Sequence, residues 1–161
     1  MKHLHETNHW IKTHGDLALD MVRIYLGIGL MVKAVYFMTH SEYLLQLMPV
    51  SGSAWLAPAM LAHYIILAHF FGGLLLTVGL ITRLAAAVQL PILMSAILYV
   101  HLPRMVTSVE SRESLEFAGL VFFLLALISV YGAGRWSLDY WLAKEKSAAL
   151  FRTEIEAHKP A

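Results

Sequence analysis

The sequence has no cysteine, which excludes disulfides, thiolate metal sites and covalent sulfur chemistry. Charge is scarce as well. Asp, Glu, Lys and Arg make up 14% of the 161 residues against 58% hydrophobic, too greasy a balance for a soluble domain of this size. A mean hydropathy of +0.63 agrees. The formal net charge is only +1 and the basic residues are scattered, so nucleic acid is not an expected partner. A nucleotide fingerprint is missing too: Gly72-Gly73 and Gly132-x-Gly134 lack the strand-to-helix context that a phosphate loop requires. The first 16 residues are polar and histidine-rich rather than basic-then-apolar, so no cleavable leader is expected and the spans themselves drive insertion. These absences leave one class, a single integral-membrane domain over residues 1–161.

What is present is organised around the stretch His69 to Ala86, an apolar helix with one histidine, a small-residue face and one arginine at its exit. At ~100° per residue, Gly72, Leu76, Gly79 and Arg83 share one side, and His69 lies within about 40° of Arg83. Glycines on one face of an apolar helix let a neighbouring backbone come close. Another apolar run begins two residues after the exit, so the spacing predicts a tight antiparallel pair at the core, with Gly72, Gly73 and Gly79 as its packing residues.

Four spans follow from hydropathy and length: about 16–38, 58–81, 83–101 and 113–131, with a tail over 135–161. Thr13-His14-Gly15-Asp16 resembles a capping box and predicts a helix start there. His3, His5, His9 and His14 match no regular ligand spacing, which favours a solvated or interfacial segment anchored by Trp10 and Ile11. The first span's apolar run is interrupted only by Lys33, near enough to its end to snorkel. The connection from His40 to Ala57 is expected to carry a short amphipathic helix stopped by Pro49. Pro58 suits the first turn of the second span. Pro91 should kink the third and Pro103 end it, while Thr107-x-x-Glu110 again fits a capping box. Gly132 and Gly134 stop the fourth span, and Trp136, Tyr140 and Trp141 read as an interfacial belt.

With both ends on one side, that side collects Lys2, Lys12, Arg23, Arg83, Arg135, Lys144, Lys146, Arg152 and Lys159, against Arg104 and Arg112 opposite. The excess of Lys and Arg predicts cytoplasmic termini. The expected fold is therefore an all-α membrane protein, an antiparallel four-transmembrane-helix bundle with both termini cytoplasmic, multi-pass in the cell (inner, cytoplasmic) membrane.

Three patches carry a family resemblance: Arg23-Ile24-Tyr25-Leu26-Gly27-Ile28-Gly29-Leu30 with Lys33, then Gly72 to Ala86, then Gly132-Ala133-Gly134-Arg135-Trp136-Ser137-Leu138-Asp139. In order and spacing, over roughly residues 20 to 142, the chain resembles the DoxX family of small four-helix membrane proteins. DoxX-like second spans often have a glutamate just before the glycine pair, where this chain has His69 nearby. A proline is common between the closing glycines, where this chain has Ala133. The resemblance implies a membrane subunit of a quinone-linked redox complex, similar to the small membrane subunit of a thiosulfate:quinone oxidoreductase. Quinone is then the implied small molecule, and a redox protein the implied partner.

Ionisable groups at membrane depth are costly and so are candidates for function. His69, His101, Glu116 and Gln89 are the candidate quinone and proton site. His63, His101, Glu113 and Glu116 could instead gather at the outer end as a metal site, since imidazole with carboxylate suits a divalent first-row ion. Arg23, Lys33, Arg83, Arg135 and Asp139 read as a structural polar network, with Asp139 pairing Arg135, Arg83 or Arg23. Phospholipid headgroup contact is the alternative for the two later arginines. At the level of the whole chain, the alternatives are a non-enzymatic accessory or assembly subunit, and a small-molecule or metal-ion carrier. The carrier reading requires a homo-oligomer, because four spans show no internal repeat.

Overall fold

A computed structural model describes the backbone of residues 2–42, 56–104 and 109–157, and the side chains of residues 17–42, 59–104 and 109–152. Among the described residues the chain is helical, without strands. Helix α1 is Lys2–Thr39, α2 is Leu56–Val78, α3 is Thr82–Ser95, α4 is Val109–Tyr131 and α5 is Leu138–Ala157. A π-helical turn, Ala96–His101, and a last turn, Leu102–Arg104, prolong α3. Four stretches are long and apolar enough to cross a membrane: Leu17–Thr39, Ala59–Val78, Thr82–Arg104 and Val109–Tyr131. Helices are the solution because hydrocarbon offers no hydrogen bonds to the backbone, and a helix satisfies its own.

The spans run up and down, which puts the start of the first, the α2–α3 turn and the end of α4 at one end of the bundle. We call this the tail end, since α5 leaves from it, and the opposite end the loop end. Each helix turns one stripe inward. On α1 the buried side chains are Asp20, Arg23, Leu26, Leu30, Ala34 and Phe37, at steps of three and four, with Gly27 buried beside Leu26. Leu26 and Leu30 meet Leu76 of α2, Ala85, Ala86 and Leu93 of α3, and Leu125 and Ile128 of α4 in one core. Most other large apolar side chains, such as Tyr25, Leu67, Leu84 and Phe123, face outward, where lipid solvates them.

The tightest backbone approach joins α1 to α2. A Cβ added to Gly27 would lie 2.6 Å from the carbonyl oxygen of Gly73, and one added to Gly73 would lie 2.6 Å from that of Gly27. Thr77 keeps its hydroxyl occupied by donating to the Gly73 carbonyl at 2.8 Å. Sequence spacing placed this close packing between α2 and α3. There the glycine face does something different: Gly72 makes room for the side chain of Gln89. The reason is rotational, since Gly72 and Gly73 are ~100° apart on the helix and address different neighbours.

Three boundaries differ from expectation. The backbone is helical from Lys2, so the Thr13–Asp16 capping box lies inside α1; no proline or turn interrupts residues 2–39. Helix α2 ends at Val78 because Gly79 takes a positive φ of 76° and Ile81 one of 49°. Pro91 sits inside α3, and Pro103 does not end the helical run, which continues through Arg104. The π turn widens the third span between them, a device that shifts the face presented by later residues. The expected surface helix before Pro49, from residue 43 on, and Thr107 lie outside the described residues.

The glycine crossing generates a sharp contrast. Gly27→Ala and Gly73→Ala are each expected to destabilise by about 1–3 kcal/mol, as overpacked sites do. Gly29→Ala and Gly119→Ala, whose added Cβ would meet open space, are expected to be neutral or slightly stabilising. Thermal melts of the four purified variants in one detergent check this.

Candidate functional site

Two groups of polar side chains lie within the bundle, and they differ in how completely their atoms are used. At the tail end, Asp20 and Arg23 face inward one turn apart on α1, each 1% exposed. Arg23 Nη2 donates to Asp20 Oδ1 at 3.2 Å and to the Trp136 carbonyl at 2.9 Å. Its Nη1 donates to the carbonyls of Leu76 and, at 3.0 Å, Thr77. These are carbonyls of the last α2 turn, which has no helical donors left to use them. Asp20 Oδ2 in turn accepts the Trp136 N–H at 2.9 Å. The pair thus pins both the end of α2 and the segment after α4.

The backbone is shaped to admit it. An added Cβ on Gly79 would lie 2.6 Å from Arg23 Nη1, and one on Gly134 would lie 2.5 Å from Asp20 Oδ2. Ser137 caps α5: its hydroxyl donates to the Gly134 carbonyl at 2.7 Å and accepts the Tyr140 N–H at 3.2 Å. Asp139 then reaches back across the chain. Its Oδ1 accepts the Ile81 N–H at 2.7 Å, its Oδ2 the Thr82 N–H at 2.8 Å, and its own N–H donates to the Gly79 carbonyl at 2.9 Å.

The expected arginine partners of Asp139 are therefore replaced by the N-terminus of α3. Its amides lack helical acceptors and carry the positive end of the helix dipole, and the left-handed turn at Ile81 aims two of them at one carboxylate. Arg83 instead donates to the Tyr131 carbonyl at 3.4 Å, and Arg135 is exposed. The residue that sequence reasoning missed is Asp20. Its signal was available: a carboxylate three positions before Arg23, at the head of an apolar span.

Deeper in the bundle the second group is sparser. His69 on α2 is 5% exposed, and its Nδ1 lies 2.9 Å from the Ile65 carbonyl. A carbonyl only accepts, so Nδ1 carries the proton and Nε2 presents a lone pair. The ring meets Phe37 of α1 edge-on at 5.9 Å, and Lys33 Nζ lies 5.2 Å from the Phe37 centroid. Lys33 is also within electrostatic reach of both His69 and His101. Gln89 of α3, fully buried, donates its amide N–H to the Ala68 carbonyl next to His69, while its Oε1 has no partner.

The structure thus brings His69, Gln89, Phe37 and Lys33 into one neighbourhood where α1, α2 and α3 meet, with His101 half-buried toward the loop end. Glu113 and Glu116 are exposed on α4, and the exposed His63 turns its Nδ1 back to the Ala59 carbonyl at 2.7 Å. Among the described residues no three His, Asp or Glu side chains gather closely enough to hold a metal ion. The expected set of His63, His101, Glu113 and Glu116 is accordingly not a ligand cluster: two of its members point away from the bundle and a third is satisfied by its own helix.

A family model supplies the relation between this arrangement and known proteins. It is that of DoxX, and it matches residues 18–102, more than half of the chain and nearly all of the first three spans. The chain belongs to the DoxX family. The match takes in Asp20, Arg23, His69 and Gln89 of this DoxX protein and stops short of α4 and the closing segment. No curated protein and no solved structure matches the chain.

Breaking the tail-end pair has a large expected effect. Removing one partner of a buried ion pair strands the other in a medium that cannot solvate it, at about 3–5 kcal/mol. Asp20→Ala and Arg23→Ala are each expected to lower the melting temperature strongly, and the double variant to lose less than the two singles summed. A double-mutant cycle on the purified protein reads that coupling.

Proposed function

We propose that this DoxX protein is the membrane-embedded subunit of a quinone-linked redox complex, and that its quinone and proton site lies around His69 and Gln89. The observation that carries the reading is one buried acceptor without a protein donor, Gln89 Oε1, next to a histidine whose Nε2 makes no hydrogen bond among the described residues. His69 has its Nδ1–H committed to Ile65 and a lone pair on Nε2, and Gln89 has its amide N–H committed to Ala68 and a bare Oε1. An unpaired polar group costs several kcal/mol in hydrocarbon, on the order of a lost hydrogen bond or more. A buried orphan of this kind calls for a donor.

The hydroxyl groups of a hydroquinone are such donors, whereas the carbonyls of the oxidised quinone are not. The acceptors therefore suit the reduced form, and a proton leaving a hydroquinone hydroxyl has His69 Nε2 as its acceptor. Lys33, over the Phe37 ring, is the neighbouring ammonium whose charge bears on that step, and His101 lies on the side of the loop end. The chain has no thiolate or nucleotide motif to hold a redox cofactor, so the electrons are assigned to a partner protein. Glu116, exposed on α4, is left out of this proposed site.

In this reading both termini face the cytoplasm, from the distribution of Lys and Arg, and the tail end of the bundle is the cytoplasmic end. A second reading, a non-enzymatic assembly subunit, is favoured by one specific observation: the tail-end groups Asp20 and Asp139 spend their oxygens on the chain itself, as a purely structural network does.

The distinguishing experiment is purification in gentle detergent, with identification of co-purifying proteins and extraction of quinones from the same sample. A redox protein together with stoichiometric quinone is expected for the wild type. His69→Ala is expected to cut retained quinone at least tenfold while leaving the partner bound. Quinone retained equally by both proteins would remove His69 from the site, and a partner without quinone would establish the assembly reading.

A further inference from the structure

An open groove lies away from His69, at the tail end, where the α2–α3 turn, the end of α4 and the start of α5 meet. It encloses about 450 Å³ between Ile81, Arg83, Leu84, Tyr131, Asp139 and Tyr140. The spans that flank it end at Val78, begin at Thr82 and end at Tyr131, so the groove sits at the depth of the lipid headgroups. We infer that it is a phospholipid site, in which Arg83 holds the phosphodiester and Leu84 and Ile81 line the course of an acyl chain.

Three observations converge. First, Arg83, although exposed, rests against the groove wall. Its guanidinium lies over Gly132, where an added Cβ would be 2.8 Å from Nε, and Gly132 holds a positive φ of 86°. Second, the cation makes no direct ion pair among the described residues. Asp139 lines the same groove, yet both of its oxygens are taken by the amides of Ile81 and Thr82. Among the described residues, Arg83 has no ion-pair partner and one long bond to the Tyr131 carbonyl at 3.4 Å. Third, the surroundings are amphipathic in the right order. Ile81 and Leu84 are 53% and 60% exposed at the head of a span, and Tyr131 and Tyr140 supply aromatic rings of the kind that settle at this boundary. A guanidinium recognises a phosphodiester through paired N–H donors, and the exposed leucine and isoleucine select a ligand with chains.

A headgroup phosphate and a free phosphate share that chemistry, so the test separates them. Native mass spectrometry of the detergent-solubilised full chain, titrated with ethanolamine- and glycerol-headgroup phospholipids, is expected to show one tightly held lipid. Arg83→Gln is expected to weaken its retention at least tenfold, and Arg152→Gln on α5 to leave it unchanged. Ala133→Glu, which sets a carboxylate in the groove and keeps Arg83, is expected to cause the same loss as Arg83→Gln. Wild-type retention of the lipid by either folded variant overturns the proposal. Displacement of the lipid by millimolar inorganic phosphate or glycerol phosphate overturns it too, since the groove would then be a soluble-anion site.

Discussion

A buried carboxylate–guanidinium pair, Asp20 with Arg23, is the constraint to which the rest of the tail end conforms. Two charges that deep cannot be left to themselves, because neither lipid nor water compensates them there. Their remaining hydrogen-bonding capacity has to be met by backbone, and the backbone that meets it comes from residues 53 to 116 positions away: the carbonyls of Leu76 and Thr77, and both polar groups of Trp136. Gly79 and Gly134 are glycines because these charged groups stand where their side chains would be. The same need for pairing recurs in Asp139, which closes the chain over the N-terminus of α3. Three separate parts of the sequence are thus tied together by polar bonds, in a molecule whose apolar surface provides no hydrophobic drive for helices to associate within lipid.

That economy divides spent from unspent polar atoms along the length of the bundle. At the tail end nearly every buried polar atom has a protein partner, with Arg23 Nε and Thr82 Oγ1 the exceptions. Further in, the glycines hold α1 and α2 close while Gly72 admits Gln89, and there the acceptors of Gln89 and His69 go unspent. Saturated groups resist change and unsaturated ones invite a ligand. The tail-end groove combines both cases, with Asp139 saturated by amides and Arg83 without an ion-pair partner among the described residues.

Much of this was legible in the sequence, and the failures have a common cause. The spacing of Gly72, Leu76 and Gly79 correctly announced a crowded face, and the apolar runs announced four spans close to Leu17–Thr39, Ala59–Val78, Thr82–Arg104 and Val109–Tyr131. Which neighbour crowds that face was not legible: Gly73 answers Gly27 on α1, and Gly72 answers a side chain on α3. Asp139 was recognisable as a partner for something, but the choice between an arginine and two amides turns on the left-handed residue at Ile81, a β-branched side chain that no turn preference would put there. Grouping His63 and His101 with Glu113 and Glu116 by depth failed because equal depth says nothing about which way a helix is rotated.

Composition and periodicity alone determined that this chain lives in a bilayer, crosses it four times as helices and has no cysteine for thiolate chemistry. Those properties are sums over local runs, and lipid tests each run for length and apolarity independently of the others. The pairing of Asp20 and Arg23 with Trp136, the capping of α3 by Asp139, the isolation of Arg83 in its groove and the bare acceptors beside Ala68 were decided only when the helices packed. Each depends on the rotation of one helix about its axis relative to another far away in sequence, and a few tens of degrees there exchange one hydrogen-bond partner for the next.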